Sequence, residues 1–118
     1  RALPLNVSGA FHSPLMTPAR LPLLEVLDSV NFNDAKVPVY QNVNAEPVSK
    51  ADELKSNIFK QLESPVRWSE TISNMNRDGF KSFLEVGPGK VLLGLNKRIL
   101  KEHNSLSIGT KEQVESYA

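Results

Sequence analysis

The chain has 118 residues, 40% of them apolar, and a net charge of +1 from 14 basic and 13 acidic side chains. This size and composition are typical of one ordinary globular domain, or part of one, and exclude a disordered chain. The absence of cysteine excludes disulfides, thiolate metal sites and a cysteine nucleophile, and the balanced charge predicts no nucleic-acid partner.

The composition and the apolar runs also bear on metal binding, membrane insertion and cellular location. Two histidines without a carboxylate pattern around them are too few for a transition-metal centre, so no metal site is predicted. The strictly apolar runs are about three residues long, so no membrane-spanning segment is expected. A chain without cysteine fits the reducing cytoplasm.

The first residues predict a strand. Apolar and polar residues alternate over residues 3–7, which is the pattern of a half-buried strand, and Pro4 keeps that strand at an edge. Because the chain starts within this strand and without an initiator Met, we expect it to be a piece of a longer protein.

A loop and a helix follow. Residues 9–14 are typical of a loop, and the apolar spacing predicts a helix over residues 18–30. Thr17 is the predicted N-cap, and Pro18 occupies the first helical position. Pro22 is expected to kink this helix or delay its start.

The middle of the chain predicts a strand over residues 37–42, a polar loop through Val48, and a helix. Ser49 and Asp52 resemble a capping box at the start of that helix. Its apolar face has helical spacing, at residues 54, 58, 59 and 62, and Pro65 interrupts the chain after it.

The remaining elements alternate between helix and strand: a helix from Trp68 that ends at Gly79, a strand over 83–86, a helix from Val91, and a strand over 106–108. The tail from Thr110 is expected to fray. Alternating strands and helices predict an α/β fold with a mostly parallel sheet. Ligands bind beyond the carboxyl ends of such strands, so His12, Asn42 and the 87–89 turn are expected at one sheet edge.

The motif Gly87–Lys90 invites a phosphate-loop interpretation, which fails in detail. A Walker loop needs Gly at position 84 and Ser or Thr at 91, whereas this chain has Leu84 and Val91. A tight turn that allows close helix–strand packing is the better interpretation.

His12 is the most interesting polar residue, because it lies in a loop of small residues where an imidazole reaches a cleft. A lone histidine is more often structural than catalytic, and a general base needs a nucleophile and a partner on its other ring nitrogen. No serine of this chain has an activating setting, so the nucleophile of such a base would lie outside it. His103 is interpreted as a solvated residue near a helix end.

Four sequence blocks resemble one family, the bacterial malonyl-CoA:acyl carrier protein transacylases. LNVSGAFHSPLM over residues 5–16 resembles its histidine segment, and VPV and QNV over residues 37–43 resemble the next strand. QLESPVRW over residues 61–68 and EVGPGKVL over residues 85–92 are similar to two further family segments. The blocks occur in the same order as in the family. The resemblance extends over nearly all of this chain, but only over a carboxyl-terminal portion of a typical member.

The resemblance implies an enzyme that transfers malonyl from coenzyme A to the phosphopantetheine thiol of acyl carrier protein, through an acyl-serine. His12 matches the catalytic histidine, and Gln61 matches the residue whose backbone carbonyl holds the other imidazole nitrogen. Coenzyme A thioester is then a substrate, and no bound cofactor is implied. Without this resemblance, Gln61 is only an amide at a helix end.

Three further residues match substrate-contacting positions of the family. Phe11 matches the residue that separates malonyl from branched acyl groups in related acyltransferases, and a ring that closes the core is an equal alternative. Lys97 and Arg98 match basic residues at the cleft mouth, which would meet the pantetheine phosphate or the acidic carrier protein. From the sequence alone, they are a solvated helix end.

The resemblance also implies what these residues lack. The serine, the arginine for the malonyl carboxylate and the oxyanion hole lie in the upstream half of family members, so this chain by itself is expected to be inactive. Residues 1–8 would be the last strand of a ferredoxin-like small subdomain. Residues 9–118 would form the carboxyl-terminal part of a large subdomain of α/β-hydrolase type.

Two alternatives remain open. One is an acyltransferase domain of a polyketide synthase. The other is a non-catalytic α/β module that binds a carrier protein through Lys97 and Arg98. Charge reversal at these two residues distinguishes the module from the enzyme, because an enzyme would still be acylated from coenzyme A.

Overall fold

The structure is a computed structural model that describes residues 9–117. It forms two compact units, the first extending to Trp68 and the second beginning at Ser69. The strand predicted over residues 1–8, with the small-subdomain assignment that depends on it, lies outside the described residues. Within residues 9–117 there is no helix with the length and hydropathy needed to cross a bilayer.

The first unit begins with a 3-10 helix, Pro14–Ala19, that continues into α1, Arg20–Ser29. The predicted cap was wrong: Ser13, and not Thr17, caps this segment, because the Ser13 hydroxyl accepts the Leu15 N–H. The α-helical part starts later than residue 18, as expected from Pro22. Pro22 is the third residue of α1, in its first turn, where a proline is tolerated better than in a helix interior.

The predicted strand over residues 37–42 is shorter than expected, and the following loop contains a strand that the sequence did not reveal. β1, Val39–Tyr40, pairs antiparallel with β2, Pro47–Val48. The connection turns at Ala45, which is fully buried, has a φ of 61° and donates its N–H to Gln41 O. Among the described residues, β1 and β2 therefore form a separate two-stranded antiparallel pair.

α2, Ala51–Gln61, starts one residue after its N-cap, Lys50, whose side chain makes no capping bond. The predicted Ser49 box was wrong, because Asp34 Oδ1 accepts the Ala51 N–H at 2.9 Å from outside the helix. Lys50 Nζ donates to Asp34 Oδ2 at 2.7 Å. This bond and then the one from Ala51 hold the pKa of Asp34 below its usual 3.8, and the same contact raises the pKa of Lys50.

The second unit has the predicted alternation. After α3, Trp68–Arg77, the chain turns at Gly79, whose φ is 98°. β3, Ser82–Val86, α4, Val91–Ile99, and β4, Asn104–Ile108, then follow. β3 and β4 pair in parallel from Ser82–Asn104 to Val86–Ile108, which makes this a β-α-β unit. The predicted α/β class with a parallel sheet is confirmed, although the β1–β2 pair is antiparallel.

The tail does not fray as expected but forms α5, Lys111–Tyr117. Its start is a reciprocal capping box: Gln113 N donates to Thr110 Oγ1, and Gln113 Oε1 accepts the Thr110 N–H. The sequence carries this signal at Thr110 and Gln113, three positions apart, so the helix was predictable.

Candidate active site

His12 projects from the loop before the 3-10 helix and is exposed. Its φ is 60°, a left-handed conformation that costs free energy for a residue with a Cβ and that clusters at functional sites. The next residue holds this turn, because Ser13 Oγ donates to Ala10 O at 2.7 Å. The loop therefore fixes the direction in which the imidazole leaves the backbone.

The imidazole meets the end of α2. His12 Nδ1 lies 3.0 Å from Gln61 O, across 49 positions of sequence. Gln61 is the last residue of α2, and the last four carbonyls of a helix have no intrahelical acceptor role, so this oxygen is available. The Ser64 N–H also donates to it, at 3.3 Å. The contact joins the same atom types that the family resemblance predicts.

The surrounding hydrogen bonds assign the tautomer of His12. Gln61 Nε2 lies 3.4 Å from His12 Nδ1, but its two hydrogens have nearer acceptors in Ser64 O at 2.7 Å and Pro65 O at 3.3 Å. His12 Nδ1 then carries the hydrogen and donates to Gln61 O, and the other ring nitrogen, Nε2, has a free lone pair. That arrangement leaves Nε2 free to accept a proton.

A cavity of about 160 Å³ adjoins the imidazole. Phe11 forms part of its wall and is 61% exposed, so the ring does not close the core among the described residues. The rest of the wall is largely apolar, with side chains from the 3-10 helix, α1 and α2: Met16, Leu23, Ile58 and Leu62. Phe11, His12 and Gln61 are thus brought together at one apolar cavity.

A second cavity of about 330 Å³ shares Ile58 and Gln61 with the first. Its wall contains an amide pair that the sequence did not single out: Asn57 Nδ2 donates to Gln41 Oε1, and Gln41 Nε2 donates to Leu54 O, both at 3.0 Å. Asn57 is 5% exposed and lies one turn before Gln61 on α2. The only sequence signal was an amide within an otherwise apolar helix face.

Lys97 and Arg98 are exposed and lie in the last turn of α4, as predicted. They belong to the second unit, whereas Phe11, His12 and Gln61 belong to the first. Cations are favourable at this end of a helix, where unpaired carbonyls carry partial negative charge.

The start of α4 explains why the Gly87–Lys90 motif is not a phosphate loop. A helix N-terminus attracts anions through its free N–H groups. Here the Glu85 carboxylate accepts the N–H of Leu92 at 3.1 Å and that of Leu93 at 2.8 Å. The protein's own carboxylate therefore occupies the place of a phosphate, and the turn interpretation holds.

His103 is not the solvated residue that the sequence predicted. It is half-buried beside β4, its Nδ1 lies 2.6 Å from Ser105 Oγ, and its ring packs edge-on against Phe83 with centroids 6.4 Å apart. The prediction failed because α4 ends at Ile99, so His103 belongs to the strand side of the connection. Over residues 9–117, no cluster of three or more His, Asp or Glu side chains could hold a metal ion.

Comparison with known proteins shows which proteins this chain is similar to. No family model matches the chain. The malonyl CoA-acyl carrier protein transacylase of Bacillus subtilis is 44% identical over 115 residues, which are 98% of this chain and 36% of that protein. The protein of the same name from Synechocystis is 43% identical and is covered over 40% of its length. The chain is a homologue of the malonyl CoA-acyl carrier protein transacylases.

Solved structures show the same similarity as the sequence comparison. The malonyl-CoA:ACP transacylase of Synechocystis superposes with a TM-score of 0.90 at 43% identity, over 98% of this chain and 40% of that one. An acyl carrier protein S-malonyltransferase of Vibrio cholerae gives 0.90 at 37% identity, over the whole of this chain and 39% of that one. The chain thus spans well under half of the relatives it matches, as the resemblance to a carboxyl-terminal portion predicts.

Proposed function

We propose that this chain supplies the general acid/base of malonyl transfer from malonyl-CoA to the phosphopantetheine thiol of acyl carrier protein, and that the acyl-accepting serine comes from residues outside it. The contact of 3.0 Å between His12 Nδ1 and Gln61 O carries this proposal, since it leaves Nε2 as the proton acceptor. The homology supports the reaction class.

In the first half-reaction, His12 Nε2 takes the proton of the serine hydroxyl as the serine oxygen attacks the thioester carbonyl. The tetrahedral intermediate then collapses, and Nε2 returns the proton to the departing coenzyme A thiolate. General acid/base catalysis of this kind typically contributes about 100-fold to 10,000-fold. The serine ends as an ester, and coenzyme A leaves as a thiol.

In the second half-reaction, Nε2 takes the proton of the carrier thiol, whose sulfur attacks the acyl-serine. The proton then passes to the serine oxygen as the ester bond breaks. During each transfer the imidazole is briefly cationic, and the end of α2 stabilises that charge, because Gln61 O belongs to the partially negative terminus of the helix. A backbone carbonyl thus orients the ring as a triad carboxylate does, without a full charge.

Phe11 is proposed to limit the acyl group. It precedes His12 directly and shares its cavity, so its ring lies where the α-carbon of a bound acyl chain would need room. A methyl branch there changes binding by only about 1–3 kcal/mol, so a preference for malonyl is expected rather than absolute exclusion.

Lys97 and Arg98 are proposed to meet an anionic partner, either the pantetheine phosphate or the acidic surface of acyl carrier protein. Both side chains are exposed, as such contacts require. A homologous structure, with a TM-score of 0.88 at 36% identity, is a type II PKS acyl-carrier protein in complex with its malonyl-transacylase.

The proposal has two further parts. Residues 9–118 are proposed to belong to the large subdomain of the acyltransferase, and the protein is proposed to be located in the cytoplasm.

The test is serine acylation by malonyl-CoA in the full-length protein that carries these residues. His12→Ala is expected to slow acylation at least about 100-fold, because the serine loses its base. His103→Ala, the matched control, removes the other imidazole of this chain and leaves the rate near that of the wild type. Equal rates for His12→Ala and the wild type would reject the proposal.

A further inference from the structure

The pairing of His12 with Gln61 joins two segments that are 49 positions apart. His12 lies in the loop before the 3-10 helix, and Gln61 ends α2. A hydrogen bond that is about 1 Å too long loses most of its strength, so the pairing depends on contacts that hold the 3-10 helix and α1 against the end of α2.

Glu63 makes such contacts two residues after Gln61. Its Oε1 accepts the Thr17 hydroxyl at 2.5 Å, and its Oε2 lies 3.4 Å from Arg20 Nε. Thr17 belongs to the 3-10 helix and Arg20 begins α1. One carboxylate therefore contacts both elements. We call Thr17, Arg20 and Glu63 the Glu63 clasp.

The chemistry of the clasp favours a fixed geometry. Thr17 Oγ1 also lies 2.6 Å from Pro14 O, so its single hydrogen is directed between that carbonyl and the Glu63 carboxylate, which is the stronger, charged acceptor. The Arg20 guanidinium additionally lies 5.3 Å from the centre of the Phe59 ring on α2. The Glu63 side chain is only 27% exposed, which limits screening by solvent.

We propose that Glu63 is a positioning residue for His12: it holds the histidine loop at the distance from the end of α2 at which His12 Nδ1 donates to Gln61 O. The catalytic consequence of this inference rests on the proposed function, but the effect on the His12 ring does not. Glu63 acts through Thr17 and Arg20 and touches no reacting atom.

The chain offers a matched control. Lys55 Nζ lies 2.8 Å from Asp28 Oδ1, an ion pair that also joins α2 to α1. Asp28 lies near the end of α1, far along the helix from Arg20. Loss of this pair loosens the same two helices without releasing the segment that carries His12.

The first measurement is the tautomer of His12 in the full-length protein, by two-bond proton–nitrogen correlation after labelling of histidine with ¹⁵N. The wild type and Lys55→Ala are expected to show Nδ1–H, whereas Glu63→Ala is expected to show averaged tautomers. Glu63→Gln keeps an acceptor for Thr17 but loses the ion pair, so an intermediate signal is expected. A wild-type signal in Glu63→Ala, or averaging in Lys55→Ala as well, would overturn the proposal.

The second measurement is malonyl transfer by the same variants. Glu63→Ala is expected to lower kcat about tenfold, with KM for malonyl-CoA within about twofold, because misplacement of a catalytic group affects the transition state more than binding. If Glu63→Ala unfolds, Glu63→Gln carries the test. Inactivity of the wild type would contradict the proposed function and leave the tautomer result to decide on the clasp.

Discussion

Asp34 caps α2 from 17 positions upstream: its Oδ1 accepts the backbone N–H of Ala51 at 2.9 Å, while Lys50 holds the other carboxylate oxygen. The first turn of α2 has no side-chain cap from its own N-cap residue. The helix that ends at Gln61 therefore depends on a carboxylate from a different segment.

The first prediction is that Asp34→Asn lowers the melting temperature near neutral pH, and that this difference from the wild type shrinks as the pH falls below 3.8, the ordinary pKa of the carboxyl. A carboxyl whose folded-state pKa lies below its unfolded value stabilises the protein above the unfolded pKa, and this contribution disappears as the pH falls through the folded pKa. The pKa of Asp34 is lowered chiefly by the hydrogen bond from Lys50 and then by the one from Ala51. The stabilising contribution of the carboxylate is therefore lost at pH values below 3.8, the ordinary pKa of the group. Thermal melts over this pH range check it.

Glu25→Gln is the control for this series, since Glu25 is an exposed carboxylate on α1. Its melting temperature should follow that of the wild type at every pH. A difference between Asp34→Asn and the wild type that persists at low pH would show that the carboxylate charge is not the cause.

The second prediction concerns the close approach of two backbone segments in the second unit, the turn after β3 at Gly87 and the end of β4 at Gly109. Gly87 N donates to Ile108 O at 2.9 Å, and a Cβ on Gly109 would overlap the Gly87 carbonyl oxygen and lie 3.1 Å from its carbon. Gly109→Ala is expected to cost about 1–3 kcal/mol of unfolding free energy, because backbone atoms must move. Urea titration measures it.

Gly94→Ala is the matched control, because Gly94 lies inside α4 and an added Cβ meets nothing within 4 Å among the described residues. Alanine is the better helix former, so a gain of about 0.5–1 kcal/mol is expected. Equal stabilities of the two variants would contradict the steric argument.

Local patterns predicted most elements, because their signals lie within the elements themselves. The apolar spacing of α4 and the glycine after α3 are such signals, and both predictions are confirmed. The cap of α2 was mispredicted because Asp34 acts across 17 positions, whereas Ser49 offered a local pattern that the backbone does not use. Sequence spacing does not reveal a capping group that approaches in space.

The candidate site shows the same division. Family resemblance alone indicated Gln61, since nothing in its local pattern marks a carbonyl as an imidazole partner. The left-handed backbone of His12 and the hydrogen bond from Thr17 to Glu63 depend on tertiary contacts. The periodicity of apolar residues in the sequence therefore does not predict them. Conversely, the Thr110–Gln113 box is a local sequence pattern, and it accounts for a helix where a frayed tail was predicted.

The third prediction tests Lys97 and Arg98 as a partner-binding surface. Charge reversal, Lys97→Glu with Arg98→Glu, is expected to lower kcat/KM for acyl carrier protein about tenfold or more and to flatten its salt dependence, because complementary charges speed association. Serine acylation from malonyl-CoA should change much less. Stopped-flow transfer at several salt concentrations measures both.

Lys111→Glu is the control, since Lys111 is an exposed cation of the same unit that faces Glu115 at 3.6 Å on α5. It should leave carrier turnover almost unchanged. Complete loss of carrier binding in a protein that is never acylated would instead favour a non-catalytic binding module.

The fourth prediction is that Phe11→Ser relaxes the preference for malonyl-CoA over methylmalonyl-CoA. The Phe11 ring lines the cavity beside His12 and is 61% exposed, so its removal opens space without emptying a buried core. One methyl group corresponds to about 1–3 kcal/mol. The kcat/KM for malonyl-CoA divided by that for methylmalonyl-CoA should therefore fall by a factor of between about 10 and 200.

Leu15→Ser is the control. It removes a neighbouring apolar side chain that is 76% exposed and does not line this cavity, so the same ratio should stay at the wild-type value. An unchanged ratio in Phe11→Ser, with acylation by malonyl-CoA intact, would remove Phe11 from selectivity.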